Sequence, residues 1–316
     1  MFTENPSYGK EMLYGFGREA AYGTPMMDAS GICRLDNIDS VTIDRGIKIH
    51  TSKTGGSKDP LMTDAIPTVS GSMATITIVG KANQYTMPYW AKAFFQYGAG
   101  GVYSFFSTHP TTPIASMTFF VKDPVTGRDQ VYKGCVVKSF KMSAEKGDDD
   151  LVKLELELQG KGSGLVNQTV TTSASWKVSG SFTDHFGMYG ISDCTHLLGV
   201  NGGVQTAVAI QGWNVSLVYD ELTQENPDGV GLFTDVGFVG RNGCTVELTC
   251  LPDETTEDIV GLLETSSRIQ FNIAGHLKLM CTALVNKVEP SLDGLTKVVI
   301  SGDIKSVGGA TMVTIQ

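Results

Sequence analysis

The chain has 316 residues, 41% hydrophobic and 18% charged, with a formal charge of −9. That length suggests about two domains on a prior of ~100–200 residues each, and the composition is that of a folded protein. An acidic chain without a basic stripe argues against tight nucleic-acid binding, which needs clustered Lys and Arg to neutralise phosphates. It does not exclude a surface past which nucleic acid slides.

The charge is unevenly placed. Residues 1–165 hold 17 basic and 17 acidic side chains, while residues 166–316 hold 7 and 16. Glycine is abundant at 37 residues, and Thr, Val and Ser are plentiful, which favours strands and turns over helices.

Residues 1–31 read as an extended N-terminal arm rich in Gly, Tyr and Met. Two fates are open for it: docking on a neighbour or a mobile terminus. Met1 to Lys10 is polar, so no signal peptide is expected. No run approaches the ~20 apolar residues of a membrane span, so no membrane partner is expected.

A first domain is expected over 32–162. Val41, Ile43, Ile47 and Ile49 alternate with polar residues, the period of a half-buried strand. His50 to Pro67 carries Gly55, Gly56, Pro60 and mixed charges, which is loop chemistry. Val69 to Val79 returns as a strand. Hairpin loops usually span ~2–5 residues, so this one reads as a deliberate flap. Met87 to Gly98 predicts a short helix with Trp90, Ala93, Phe94 and Tyr97 on one face. Gly98 to Gly101 reads as its C-terminal cap and turn. Strands follow at Val102 to Phe106 and Ser116 to Lys122. Val131 to Met142 and Leu151 to Gln159 make a closing hairpin, turned at Asp148 to Asp150.

Residues 163–175, rich in Gly, Ser and Thr, read as a linker. A second domain is expected over 176–316 and repeats the design. Weak strands run from Trp176 to Leu198. Trp213, Val215, Leu217 and Tyr219 alternate within a strand from Ala207 to Tyr219. Glu221 to Asp235 is a second polar loop, and Val246, Leu248 and Cys250 alternate beyond it. Thr255 to Glu264 predicts a short helix. A final hairpin spans Phe271 to Val285 and Lys297 to Ile304, with an edge strand at Thr311 to Ile315. The shared order of strand, long loop, strand, short helix and hairpin points to a tandem duplication.

Chemistry is scarce. Cys33, Cys135, Cys194, Cys244, Cys250 and Cys281 form no CxxC pattern, and those within apolar strands read as small core residues. The five histidines offer no pair at useful ligand spacing; Asp184-His185 and Asp193 to His196 invite a metal test but read better as polar loop residues. No nucleophile elbow, phosphate loop or zinc-protease motif occurs. No catalytic residue, cofactor or metal is therefore expected, and the enzyme reading has no positive support.

Glu19-Ala-Ala-Tyr-Gly-Thr-Pro25, the alternating strand, the long charged loop and Pro67-Thr-Val-Ser-Gly-Ser-Met73 resemble the tail tube proteins of tailed bacteriophages. The resemblance covers both halves, as in tandem two-domain members. It implies an all-β fold with one short helix per domain, each domain a β-sandwich or split barrel. It implies homotrimeric, pseudo-hexameric rings that stack into a tube assembled in the host cytoplasm and kept in the virion tail. The tube would enclose a tape measure protein, meet tail terminator and distal tail or baseplate proteins, and pass DNA without specific binding. Lys53, Lys58 and Asp59 of the first flap, with Glu221, Glu225 and Asp228 of the second, are candidate inter-ring contacts or else solvated charges. Glu155 and Glu157 are candidates for the channel lining, where carboxylates would repel phosphates. Lys153 beside them weakens that expectation. Another virion protein of similar fold, such as a tail terminator, distal tail ring or decoration protein, is the alternative. A carbohydrate-binding or hydrolytic β-domain is a third reading.

Overall fold

The computed structural model describes residues 12–26, 32–35, 37–45, 48–53, 65–70, 73–83, 98–99, 102–104, 116–123, 129–147, 150–161, 165–168, 188–200, 206–207, 210–219, 222–227, 233–238, 242–250, 266–273, 277–290, 298–303 and 312–315. Strand accounts for 76% of them, and no helix of 7 or more residues occurs among them. The fold is all-β.

The first half contains β1 (Leu13–Arg18), β2 (Ile32–Leu35), β3 (Ile38–Asp44), β4 (Lys48–Lys53), β5 (Ala65–Ser70), β6 (Ala74–Lys81), β7 (Gly98–Ala99), β8 (Val102–Ser104), β9 (Met117–Lys122), β10 (Asp129–Glu145), β11 (Lys153–Gly160) and β12 (Leu165–Gln168). The second contains β13 (Cys194–Val200), β14 (Thr206–Ala207), β15 (Ile210–Tyr219), β16 (Leu222–Pro227), β17 (Phe233–Phe238), β18 (Asn242–Cys250), β19 (Ser266–Ile273), β20 (Leu277–Pro290), β21 (Val298–Asp303) and β22 (Met312–Ile315).

The pairings repeat strand for strand. In the first half the order is β2–β1–β9–β10–β11–β6–β3, with β12 also on β10. In the second it is β14–β13–β19–β20–β21–β18–β15, with β22 also on β20. Two irregularities coincide as well. β3 slips register on β6 between Ile38 and Ser40, and β15 slips on β18 between Ile210 and Gly212. β10 slips on β11 between Val137 and Ser139, and β20 slips on β21 between Val285 and Lys287. Bulges are placed features rather than noise, so matching bulges strengthen the duplication that the pattern predicts.

The long strand β10 belongs to two sheets. Its N-terminal part pairs with β9 and β12, and its C-terminal part with β11 and β15. Strict alternation explains which faces turn inward. β6 buries Ala74, Ile76 and Ile78, and β11 buries Leu154, Leu156 and Leu158. These pack with Phe16, Cys33, Leu35, Met117 and Phe119 from the other sheet. Trp213, Val215, Leu217, Val246, Leu248 and Cys250 of the second half join the same core. Burial of such side chains stabilises by roughly 1.5–3 kcal/mol each.

Several expectations need correction. Residues 13–18 are not an arm: β1 is a core strand paired on both sides, with Phe16 buried. The Gly residues in this stretch masked a period-2 pattern. The 163–175 linker contains β12, paired to β10. Gly98, expected as a helix cap, lies in β7. The long loops are hairpins in large part: β4 pairs with β5, and β16 with β17. Polar Ser, Thr and Lys satisfy a ladder as well as apolar residues do, because the backbone makes it. Phe271 to Val285 divides into β19 and β20, which pair with each other. The C-terminal strand is not an edge, since β22 lies between β20 and β8. The predicted helices at 87–98 and 255–264 lie outside the described residues, Gly98 apart.

Candidate functional site

The longest ladder between the two halves among the described residues joins β10 to β15, beside the shorter pairing of β22 with β8. Ser139–Glu145 of β10 pairs antiparallel with Gly212–Val218 of β15. Phe140, Met142 and Ala144 from one side, with Trp213, Val215 and Leu217 from the other, turn into the core and are buried. Alternation then puts Lys141, Ser143, Asn214 and Ser216 on the opposite face.

That face is mainly polar, with Val79 and Val218 also on it. Thr75 and Thr77 of β6, Glu155 and Glu157 of β11, and Thr245 and Glu247 of β18 extend it. The two channel candidates, Glu155 and Glu157, do share one face, but each carboxylate has a lysine. Lys141 Nζ donates to Glu155 at 2.8 Å, directly across the ladder. Lys138 Nζ, at the bulge, donates to Glu157 at 3.1 Å. Asn214 Nδ2 donates to Glu247 at 3.4 Å. The face is therefore a field of mixed, internally paired charge, not a bare row of carboxylates. A groove of ≈ 440 Å³ opens on it, lined by Lys141, Glu145, Lys153, Glu155, Asn214 and Glu247 among others.

Lys53 ends β4 opposite Ala65, and Glu225 stands on β16 opposite Asp235. Lys58, Asp59, Glu221 and Asp228 lie outside the described residues. Among the described strands each flap pairs only with itself.

Sequence reading missed one buried hub, Glu19. It is 7% exposed, at the end of β1. Its carboxylate accepts from Thr118 Oγ1 at 2.8 Å, from the Ser116 hydroxyl, and from the backbone N–H of Gly23 and Gly134 at 2.8 Å each. Gly134 adopts φ +62 inside β10, where register slips on β9 between Tyr132 and Cys135. The left-handed φ requires glycine there. A buried carboxylate needs such donors. Because three of the four donors lie 97, 99 and 115 residues away, local pattern gave no signal. The second half lacks this bulge: β19 and β20 pair without a slip.

Cys33, Cys135 and Cys250 are buried. Burial pushes Cys194 up to about 12, with a further push from Asp193, and burial raises Cys135 strongly. A protonated thiol is a poor nucleophile and a poor metal ligand. Among the described residues no group of three or more His, Cys, Asp or Glu is placed to hold a metal. No helix there is long and apolar enough to cross a membrane. Set against known protein families and curated proteins, the chain matches none.

Proposed function

We propose that this chain is the structural subunit of a phage tail tube. Three two-domain copies form a pseudo-hexameric ring, and rings stack into a hollow conduit in the virion tail. The single observation behind this reading is the repeated strand order whose two copies are joined by a β ladder. A module that completes its sheet with the edge of its own copy is suited to closed assemblies, which remove exposed edges. The polar face then lines the channel. Its paired lysines and glutamates give passing phosphates no unbalanced positive charge to hold them. The conduit holds the tape measure protein and passes DNA during ejection. Its ends meet the tail terminator and the distal tail or baseplate proteins. The reading gives the chain no catalytic step.

Negative-stain microscopy of the purified chain tests it. Tubes or stacked rings are expected. Discrete rings that never stack would move the assignment to a tail terminator, distal ring or decoration protein. A monomer that persists at high concentration would end it.

A further inference from the structure

We propose that the outer edge of β3 receives the C-terminal part of β20 from a second copy of the chain, in the register that β15 uses on β10. The inference deepens the tube reading and rests on it for the existence of an assembly. It adds which edges meet, residue by residue.

Quasi-equivalence carries the argument. β15 is the second-half counterpart of β3, and β20 the counterpart of β10, by strand order and by bulge position. Within the chain, the counterpart pair β10 and β15 is joined. Among the described strands, β3 has a ladder on one side only, toward β6. The segment Val285–Pro290 has one only toward β21. Among the described strands, the half-to-half joint thus leaves β3 and the end of β20 each with a ladder on one side only.

Burial supports the pairing independently. Trp213 is 4% exposed and Val215 0%. Their counterparts Val41 and Ile43 pack against the same core but are only half-buried. Ser40 and Thr42 are exposed, whereas Gly212 is buried and Asn214 half-buried. At each of these positions the strand without a neighbour is the more open one. A further strand alongside β3 would bring its burial level with that of β15.

The matched bulges fix the register. Val137 corresponds to Val285, and Ile38 to Ile210. The contacts Phe140↔Leu217, Lys141↔Ser216 and Met142↔Val215 then become Val288↔Arg45, Glu289↔Asp44 and Pro290↔Ile43 between chains. Donor and acceptor differ, so the contact is head-to-tail and continues until a ring closes or a filament grows. The joint between chains carries two costs that the one within the chain lacks. Glu289 stands opposite Asp44, and like charges directly opposed destabilise a ladder. Pro290 also lacks an amide hydrogen. The chain is therefore firmly joined inside and more weakly joined to its neighbours.

Cysteine cross-linking of the full chain tests this. The D44C/E289C double variant, oxidised under native conditions, is expected to give a ladder of covalent dimers, trimers and larger species on a non-reducing gel. D44C alone and E289C alone are expected to stay single. Dimers from D44C alone would mean that two β3 edges meet, which overturns the proposal. A disulfide within one chain overturns it equally. Tubes or rings by microscopy without cross-linked species would leave the tube reading standing and remove this one. Absence of any particle larger than one chain in sedimentation would remove both. A second variant, D44S, takes the residue type of Ser216 and relieves the like-charge contact. It should lower the concentration needed for assembly by about twofold or more, and an unchanged or higher concentration counts against the register.

Discussion

Val41 and Trp213 occupy the same place in two copies of one strand order, yet one is half-buried and the other nearly sealed. Local sequence does not explain the difference, since both strands alternate apolar and polar residues. The neighbour does. β15 has β10 alongside it, while β3 has no strand on that side among those described. The same residue pattern therefore gives a core position in one half and an edge in the other.

The sharpest way to break the comparison is to truncate both positions. Trp213→Ala should cost about 3–5 kcal/mol of folding stability in urea denaturation of the unassembled chain, as large-to-small core changes do. Val41→Ala should cost only about 1 kcal/mol there, with its larger effect on assembly. Equal costs in the unassembled chain would mean that β3 is already covered.

Next in size is the contrast at the bulge that only the first half possesses. Glu19→Ala leaves the hydroxyls of Ser116 and Thr118 and two backbone N–H groups without their acceptor. A loss of about 3 kcal/mol is expected, read as a lowered denaturation midpoint. A neutral outcome would show that the hub is dispensable.

A smaller effect concerns Cys194 and Tyr189, on either side of the short turn at Ile191–Asp193. Burial, then the charge of Asp193, raises both to about 12, from 9.0 for the thiol and 10.0 for the phenol. Groups whose folded-state values are raised stabilise the fold fully below their unfolded values. That contribution falls away as pH rises toward the folded ones. Stability should thus be flat below about pH 9 and decline from there to pH 12, followed by circular dichroism. A chain equally stable at pH 11 and pH 8 would contradict it.

The smallest effect is on the polar face. Lys141 and Glu155 are 42% and 40% exposed, so solvent screens their pair. Lys141→Ala should change stability by less than about 1 kcal/mol. It would also leave Glu155 without that partner, and a larger loss in urea denaturation would show that the pair is less screened than its exposure implies.

Much of the architecture was legible beforehand. The alternations in β6, β11, β15 and β18 depend only on period 2, and they showed which residues face inward. The duplication was legible from the order of elements. Other features were not. β1 was hidden because Gly15 and Gly17 carry no side chain to mark a face. The flap hairpins were hidden because their pairing is made by backbone groups between polar residues. The candidate carboxylates were placed on one face, but their pairing with Lys138 and Lys141 depends on the register across β10 and β11.

An all-β chain was readable from residue order, because side-chain alternation along a strand is a local property. The enclosure of β15, the lack of a second ladder on β3 among the described strands and the four donors around Glu19 came from the folded chain alone. Each of these depends on contacts between residues far apart in the chain, where closure and register, rather than local propensity, set the free energy.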